Sequence, residues 1–511
     1  MLSRATALVT LAIAAAACAQ TTVSIDPANT YQTIEGFGAH GSAKVWWQDG
    51  TYYTERFGNL VIGDMGLTMI RNEFYPDFEP SNENGDPNNL DMSKFSYTGI
   101  FGNRQKGYIV SMKNKAASLG EPLRWITSYW TPPKWMKTNN SEINGGHLLP
   151  SARAELAELA VATVRAYKEQ CGVDLYALSI QNEPAFEEPY NSCVYTAEEY
   201  RDAIKVIGPK LHGVYPDVKL FGAEDMLHNW TRTPYAGMCQ QDPVSRDHLN
   251  VFAVHGYSDG VHPTPASEAV SMWTRAGANC TAAGKPLWMT ETSGYTESWD
   301  DCLHLAEMIY AALKYGKLAA WVWWQLGGGC DYNALVTTDG EYCRRGYIHK
   351  HFARYIRPGA VMIDAISSEE LVFSVAFHHP QQHTLALVLL NAGNAQQTVS
   401  LAGAGLPSLT VYRSTSSESC QERGTLAPGA TLTMPAQSLV TLYGSGYQPT
   451  AAVRRASVRA AMRGTGAGAA SVYNLRGRKT ATDAVAQGRR SAGVVVLHDP
   501  ASGVAATHIA R

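Results

Sequence analysis

Most of the signatures that would assign this chain to a nucleotide, metal or membrane function are missing. No G-x-G-x-x-G follows the first apolar strand, "IEGFGAHG" (34–41), and no glycine-rich loop ends in Lys-Ser or Lys-Thr, so neither phosphate cradle is expected. The nine cysteines form no C-x-x-C and no cluster with histidine, which argues against structural zinc. No EF-hand loop occurs, and the acidic "NENGDPNNLD" (82–91) reads as a solvated loop. "HHPQQH" (378–383) lies between two strand-like segments and reads as a polar hairpin turn. Apart from the first residues, no apolar run is long enough to span a bilayer. No cofactor and no metal are expected.

Charge of one sign is also scarce: charged residues make up 17% of the 511 and the formal net charge is −3. It is unevenly spread. Residues 451–511 hold ten Arg or Lys against Asp483 and Asp499, a net of +8, so the rest carries −11. An acidic body excludes nucleic acid as the main partner.

What the chain does have is length, a large core and aromatic residues, with 12 Trp and 26 Tyr. Aromatics on that scale suit either a large core or surfaces that stack against flat ligands such as sugar rings. Residues 1–19 have one Arg, an apolar run from Ala7 to Ala17 and an A-x-A site at Ala17-Cys18-Ala19. They read as a secretory signal peptide, with lipid modification of Cys18 as the alternative. The expectation is an exported protein without a transmembrane segment, a monomer, with attachment to the cell surface through its tail as the alternative to free release. Eight cysteines remain after cleavage, an even number that suits disulfides, and Cys330 and Cys343 bracket one short loop.

Short apolar strands alternate with helical stretches. The strands are "IEGFGAHG" (34–41), "LTMIRNEF" (67–74), "LRWITSYW" (123–130), "LYALSIQNEP" (175–184), "VKLFGAED" (218–225), "VFAVHGY" (251–257), "LWMTETS" (287–293) and "AWVWWQL" (320–326). Residues 151–170 and 302–316 repeat apolar positions at three and four, as helices do. Eight such units over about 300 residues predict an α/β fold, a (β/α)8 TIM barrel over residues 35–358. An open doubly wound sheet is the alternative. From 359 to 446 the pattern becomes strict alternation between turn signals, which predicts a side β-sandwich. The strand-like 20–34 is assigned to that sheet. Residues 447–470 read as a linker, and 471–511 as a small C-terminal module for sorting or attachment.

In a barrel of this type the C-terminal ends of the strands carry the chemistry. Those ends offer Arg71, Trp130, Asn182, Glu183, Glu224, His255, Tyr257, Glu291 and Trp324. Glu183 in "SIQNEP" and Glu291 in "LWMTETS" follow apolar strands four and seven. Paired carboxyls beside a ring-stacking wall are what glycoside hydrolysis requires, one protonated and one ionised. Glu224 and its neighbour Asp225 read as structural, or as supports that touch the catalytic residues from behind. A lone His such as His255 is more often a hydrogen-bonding core residue.

The motifs "WTPPKWMKTNNSEINGGHLLP" (130–150), "LSIQNEP" (178–184), "LWMTE" (287–291), "WVWWQL" (321–326) and "GYIHKHFARYIRPGA" (346–360) resemble glycoside hydrolase family 30, and most of all its xylanase branch. The likeness covers roughly residues 21–446. It implies a barrel with a side β-domain and a secreted retaining endo-glycosidase acting on β-1,4-xylan of plant cell walls. Glu183 would be the acid/base and Glu291 the nucleophile. Asn182, Trp130, Tyr257, Arg71, Trp324 and His255 would bind substrate or support the pair. The glucuronoxylanases of the family place an Arg after strand eight to hold a glucuronate branch. Here "GGGCDYNALVTTDG" (327–340) has no Arg or Lys before Arg344. The resemblance therefore implies no strict need for glucuronate. An endo-β-1,6-galactanase or β-1,6-glucanase is the alternative within the family, with a lipid-active glucosylceramidase-like enzyme as a third. A non-catalytic carbohydrate-binding protein is the alternative of another class.

Overall fold

The computed structural model describes residues 20–41, 54–82, 84–227, 235–257, 266–337 and 339–449, together with four short strands beyond 470. The signal-peptide reading of residues 1–19 and the linker reading of 451–470 lie outside the described residues.

Eight parallel strands close into a barrel: β2 (Gly36–His40), β3 (Met69–Phe74), β4 (Arg124–Tyr129), β5 (Leu175–Ser179), β6 (Lys219–Met226), β7 (Leu249–His255), β8 (Leu287–Glu291) and β9 (Leu318–Trp323). β9 pairs back onto β2 and completes the ring. Each strand is buried on both faces, which explains the near-continuous apolar runs. Inward residues Met69, Ile126, Phe221, Val251, Trp288 and Val322 pack with one another inside the ring. Outward residues such as Phe37, Ile70, Leu178, Leu220 and Trp321 join the core beneath the helices. The helices Arg153–Cys171 and Trp299–Lys314 fall where the three-four repeat predicts them.

Gly36, Gly38 and Gly41 have the spacing of a dinucleotide-binding loop, but the first two lie inside β2 and are used for packing. A Cβ on Gly38 would stand 2.2 Å from the Met69 carbonyl oxygen, so only glycine lets β2 lie against β3.

β1 (Thr21–Thr33) precedes the barrel and pairs with β12 (Val361–Ser367) and β15 (Gln397–Ala402). The other strands of that region are β13 (Val372–His379), β14 (Thr384–Asn391), β16 (Leu409–Thr415), β17 (Glu418–Leu426), β18 (Thr431–Met434) and β19 (Ser438–Ser445). All nine form one sheet in the order β17-β16-β19-β14-β13-β12-β1-β15-β18. Val399 and Met434 from one end share a core with Val411 and Leu426 from the other, so the sheet curls over itself as a sandwich. His379 pairs with Thr384 across the β13–β14 turn, which makes "HHPQQH" a hairpin. In the acidic loop, Asn82, Asn84 and Asp86 turn side-chain oxygens onto the loop's own amides.

The cysteines depart from expectation. Cys330 and Cys343 form a disulfide, but Cys171, Cys193, Cys239, Cys280, Cys302 and Cys420 are buried free thiols. Each fills space in its own part of the core, as small apolar side chains do. The disulfide closes the loop after β9, where β10 (Gly327–Gly328) pairs with β11 (Val336–Thr337). Arg345 ties the same loop down by donating to the carbonyls of Cys330, Ala334 and Tyr295. Beyond it, β20 (Ser471–Tyr473), β21 (Lys479–Thr480), β22 (Gly493–His498) and β23 (Ala505–Ala510) form an antiparallel four-stranded sheet. Among the described residues, no helix is long and apolar enough to cross a membrane.

Candidate active site

An open cleft of about 730 Å³ at the C-terminal end of the barrel is lined by Glu73, Tyr75, Trp130, Asn182, Glu183, Tyr190, Asn191, Met226, Tyr257, Glu291 and Trp324. Six of the eight residues expected at the site line it. The other two, Arg71 and His255, lie fully buried directly beneath.

Glu291 ends β8, and its register opposite His255 of β7 sets the two side by side. Arg71, on β3, donates Nη1 to Glu291 Oε2 at 2.5 Å, and Tyr257 donates its hydroxyl to Oε1 at 2.8 Å. Burial, with the neighbouring Glu183, holds the Glu291 carboxyl above its ordinary value against the opposing pull of His255, Arg71 and the Tyr257 hydroxyl. Burial likewise drives the Tyr257 hydroxyl well above its ordinary range, helped by Glu291 and Glu183, so it remains a donor.

Glu183 does not end its strand: β5 stops at Ser179, and Glu183 stands in the loop beyond. Local bonds fix that loop. The Asn182 amide donates to the Tyr129 carbonyl at 2.6 Å, and the Gln181 side chain donates to the carbonyls of Trp130 and Asn182. The Tyr195 amide caps the Pro184 carbonyl. Glu183 is held at φ +46° and Glu224 at φ +58°, a left-handed conformation that non-glycine residues seldom adopt. Such strain, of the order of 1–3 kcal/mol, persists where surrounding structure imposes it, commonly at functional sites. His255 meets Glu183 Oε1 through Nδ1 at 2.8 Å.

Of the two places open to Glu224, the structure gives it the one behind the catalytic pair. It is fully buried on β6, with Oε1 2.9 Å from Arg71 Nη2 and 3.6 Å from His255 Nε2. Burial opposes its charge, but Arg71 and His255 more than offset this and hold its carboxyl down at about 2. Arg71 Nη2 also donates to Asn182 Oδ1 at 2.7 Å, which leaves the Asn182 Nδ2 amide as the group for a ligand hydroxyl. A continuous chain, Glu183–His255–Glu224–Arg71–Glu291, thus runs beneath the cleft.

Trp130 and Trp324 lie with ring centroids 6.2 Å apart, and His40 of β2 packs 4.2 Å from the Trp324 ring. The Arg71 guanidinium lies 4.6 Å over Trp130. Glu73, Asn191 and Tyr190 are cleft residues that motif reading passes over. Glu73 had a usable signal: it stands two positions after Arg71 on one strand, hence on the same face. Asn191 donates to it at 3.1 Å, and burial raises its carboxyl to about 7. Among the described residues no Arg or Lys lines the cleft.

Two groups have the donor spacing of a metal site, Glu183–His255–Glu291 and Glu297–Cys330–Cys343. The second spends both sulfurs on the disulfide. In the first, the Arg71 guanidinium already occupies Glu291 and would repel a cation. One oxygen each of Glu183 and Glu291 lie within 4.8 Å of one another. Two carboxyls that close, across a cleft with aromatic walls, can act as acid and nucleophile on one bond.

The comparisons with known proteins agree with this geometry. The family model for the glycosyl hydrolase family 30 TIM-barrel domain matches residues 75–331, and that for the family's β-sandwich domain matches 359–442. A glucuronoxylanase of Bacillus subtilis strain 168 is 25% identical over 340 residues, covering 62% of this chain and 72% of that one. The lysosomal acid glucosylceramidase of Mus musculus is 26% identical over 335 residues, covering 59% of this chain and 62% of that one. In fold, the chain is similar to a family 30 subfamily 8 xylanase from Clostridium acetobutylicum, with TM-score 0.65 and 24% identity over 83% of this chain and 99% of that one. The barrel with its sandwich, the paired carboxyls and the two domain matches place this chain in glycosyl hydrolase family 30, as a glycoside hydrolase.

Proposed function

We propose that this protein is an exported, retaining endo-glycosidase that cleaves the β-1,4-linked backbone of xylan without needing glucuronate branches. The observation that carries the reading is the carboxylate spacing. Retaining enzymes hold their two carboxyls about 5–5.5 Å apart, inverting ones about 6.5–9.5 Å to admit a water. One oxygen of each carboxyl lying within 4.8 Å of the other supports the first class.

Glu183 then gives its proton to the leaving oxygen while Glu291 attacks the anomeric carbon. Arg71 and Tyr257 hold Glu291 in line for the attack. Glu183 next takes a proton from water, which displaces Glu291 from the sugar. Asn182 Nδ2 donates to the 2-hydroxyl, and Trp130 and Trp324 wall the ring. The xylan preference rests on the xylanase-like motifs and on the relatives' named activities. Independence from glucuronate rests on the loop 327–340, which has no Arg or Lys, and on the charges of the described cleft lining, which are those of Glu73, Glu183 and Glu291.

The test is digestion of glucuronoxylan, arabinoxylan, β-1,6-galactan, β-1,6-glucan and glucosylceramide, with product mapping, by wild type, Glu183→Gln and Glu291→Gln. Xylo-oligosaccharides with no fixed methylglucuronate position, lost in both variants, are expected. Products capped by methylglucuronate at one position overturn the branch independence, and cleavage of a β-1,6-glycan or the lipid alone overturns the xylan assignment.

A further inference from the structure

A retaining acid/base faces a supply problem: it must hold a proton in the first half-reaction and be free of it in the second. Around Glu183 the described groups are three other carboxyls, Glu224, Glu291 and Glu73, the guanidinium of Arg71, the imidazoles of His255 and His40, and the hydroxyls of Tyr257 and Tyr190. Only one of these nitrogen bases touches Glu183. His255 is completely buried, with Nδ1 2.8 Å from Glu183 Oε1 and Nε2 3.6 Å from Glu224 Oε1. Its two ring nitrogens therefore each face a carboxylate, an arrangement that suits an imidazolium and leaves a neutral ring with one unmatched contact.

We propose, on the reading that Glu183 is the acid/base, that His255 is the proton reservoir of Glu183, held charged from behind by Glu224. Before the first bond breaks, the Nδ1–H bond of His255 breaks and an O–H bond forms on Glu183. The proton then passes to the leaving oxygen as the C1–O bond breaks and the Glu291–C1 bond forms, and His255 is left neutral. In the second half-reaction Glu183 takes a proton from the attacking water, the Glu291–C1 bond breaks, and the proton returns to Nδ1. Each proton that leaves is replaced by one from water, so the cycle closes.

The charges fit this exchange. Burial works against protonation of His255, but Glu291, Glu183 and Glu224 outweigh it and raise its pKa to about 9. His40, which also faces Arg71, is held well below its ordinary value by burial, Arg71 and His255, so it cannot take over the role. Glu224 serves as a positioning residue. It is shared between Arg71 and His255, so its charge stays paired when Glu291 loses its own in the covalent intermediate.

Leaving-group dependence tests the proposal, because a proton supply matters only where the leaving oxygen needs a proton. Aryl β-xylobiosides with phenols of high and low acidity are the probes for His255→Asn, Glu224→Gln and Glu183→Gln. For His255→Asn the expected loss in kcat/KM is about 10²-fold with the least acidic phenol, within the range for general acids. With dinitrophenol the loss should be at least about ten-fold smaller. Glu224→Gln, which covers the case that His255→Asn fails to fold, is expected to move the alkaline limb of the pH profile to lower pH. Equal losses of His255→Asn on all leaving groups, or an alkaline limb that Glu224→Gln leaves in place, overturn the relay. If Glu183→Gln itself shows no leaving-group dependence, the acid/base assignment fails; if it does and His255→Asn does not, the relay alone fails.

Discussion

The two ends of this barrel hold similar chemical materials and use them differently. At the N-terminal end, Glu35 accepts from the Tyr176 hydroxyl, Lys219 Nζ and Trp288 Nε1. The Arg124 guanidinium lies 4.3 Å from the centre of the Tyr176 ring, and Lys219 Nζ lies 4.8 Å from it on the same ring system. One carboxyl there stands among two cations, with Lys219 at its side-chain oxygen and Arg124 donating to the backbone carbonyl of the same residue. At the C-terminal end, among the described residues, Glu73, Glu183, Glu224 and Glu291 have Arg71 and His255 as their cationic partners. The lower cavity is the larger, about 860 Å³ against 730 Å³, so volume does not locate the chemistry. The excess of acid does. A site with more buried carboxyls than cations must keep some protonated, and a retaining glycosidase needs one carboxyl of each kind.

This contrast can be broken most forcefully at the upper end. Glu291→Gln and Glu183→Gln should each lower kcat on xylo-oligosaccharides by about 10³-fold or more, while Glu35→Gln at the lower end should change it less than about two-fold. Comparable losses at both ends would erase the distinction. Arg71→Met should cost about 3–5 kcal/mol in denaturant unfolding, because Glu224 and Glu291 would be left buried without their cation. Glu35→Gln touches a pair with Lys219 30% exposed, and solvent screening limits its cost to about 1 kcal/mol.

A finer test uses pH. Glu73 has a folded pKa of about 7, above its unfolded value, so its contribution to stability is fully present below about 4.5 and is lost as pH rises toward 7. Glu73→Gln should remove that dependence, worth about 2–3 kcal/mol between the two pH values, and calorimetry across that window measures it. His255 runs alongside: its contribution is present below about 6.5 and is lost as pH rises through about 9. Smallest is the loop after β9. Cys343→Ser opens a 13-residue closure and should cost about 2–3 kcal/mol of stability, with kcat falling only a few-fold.

Much of this was legible in the sequence, and the reasons are specific. Strands buried on both faces must be largely apolar, so "AWVWWQL" and "VFAVHGY" announced the barrel directly. Glu291 closes an apolar strand and could be found by position. Glu183 was found as easily, but its true place, four residues past the strand at a positive φ, is decided by tertiary bonds to Tyr129 and Trp130 that no local pattern carries. Glu224 stayed undecided between a structural and a supporting place for the same cause: its partners are Arg71 and His255, 153 and 31 positions away in the chain. The six free thiols were misjudged because an even count of cysteines carries no distances, and buried packing uses Cys as readily as Ala.

The central claim is that Glu183 and Glu291 work as a close pair on a β-linked backbone, and the stereochemistry of the first product tests it most directly. Proton NMR of xylo-oligosaccharide hydrolysis, followed from the first turnover before mutarotation, should show the β-anomer of the newly formed reducing end accumulating first. Early accumulation of the α-anomer would mean that water attacks directly across a wider gap, and would contradict the account.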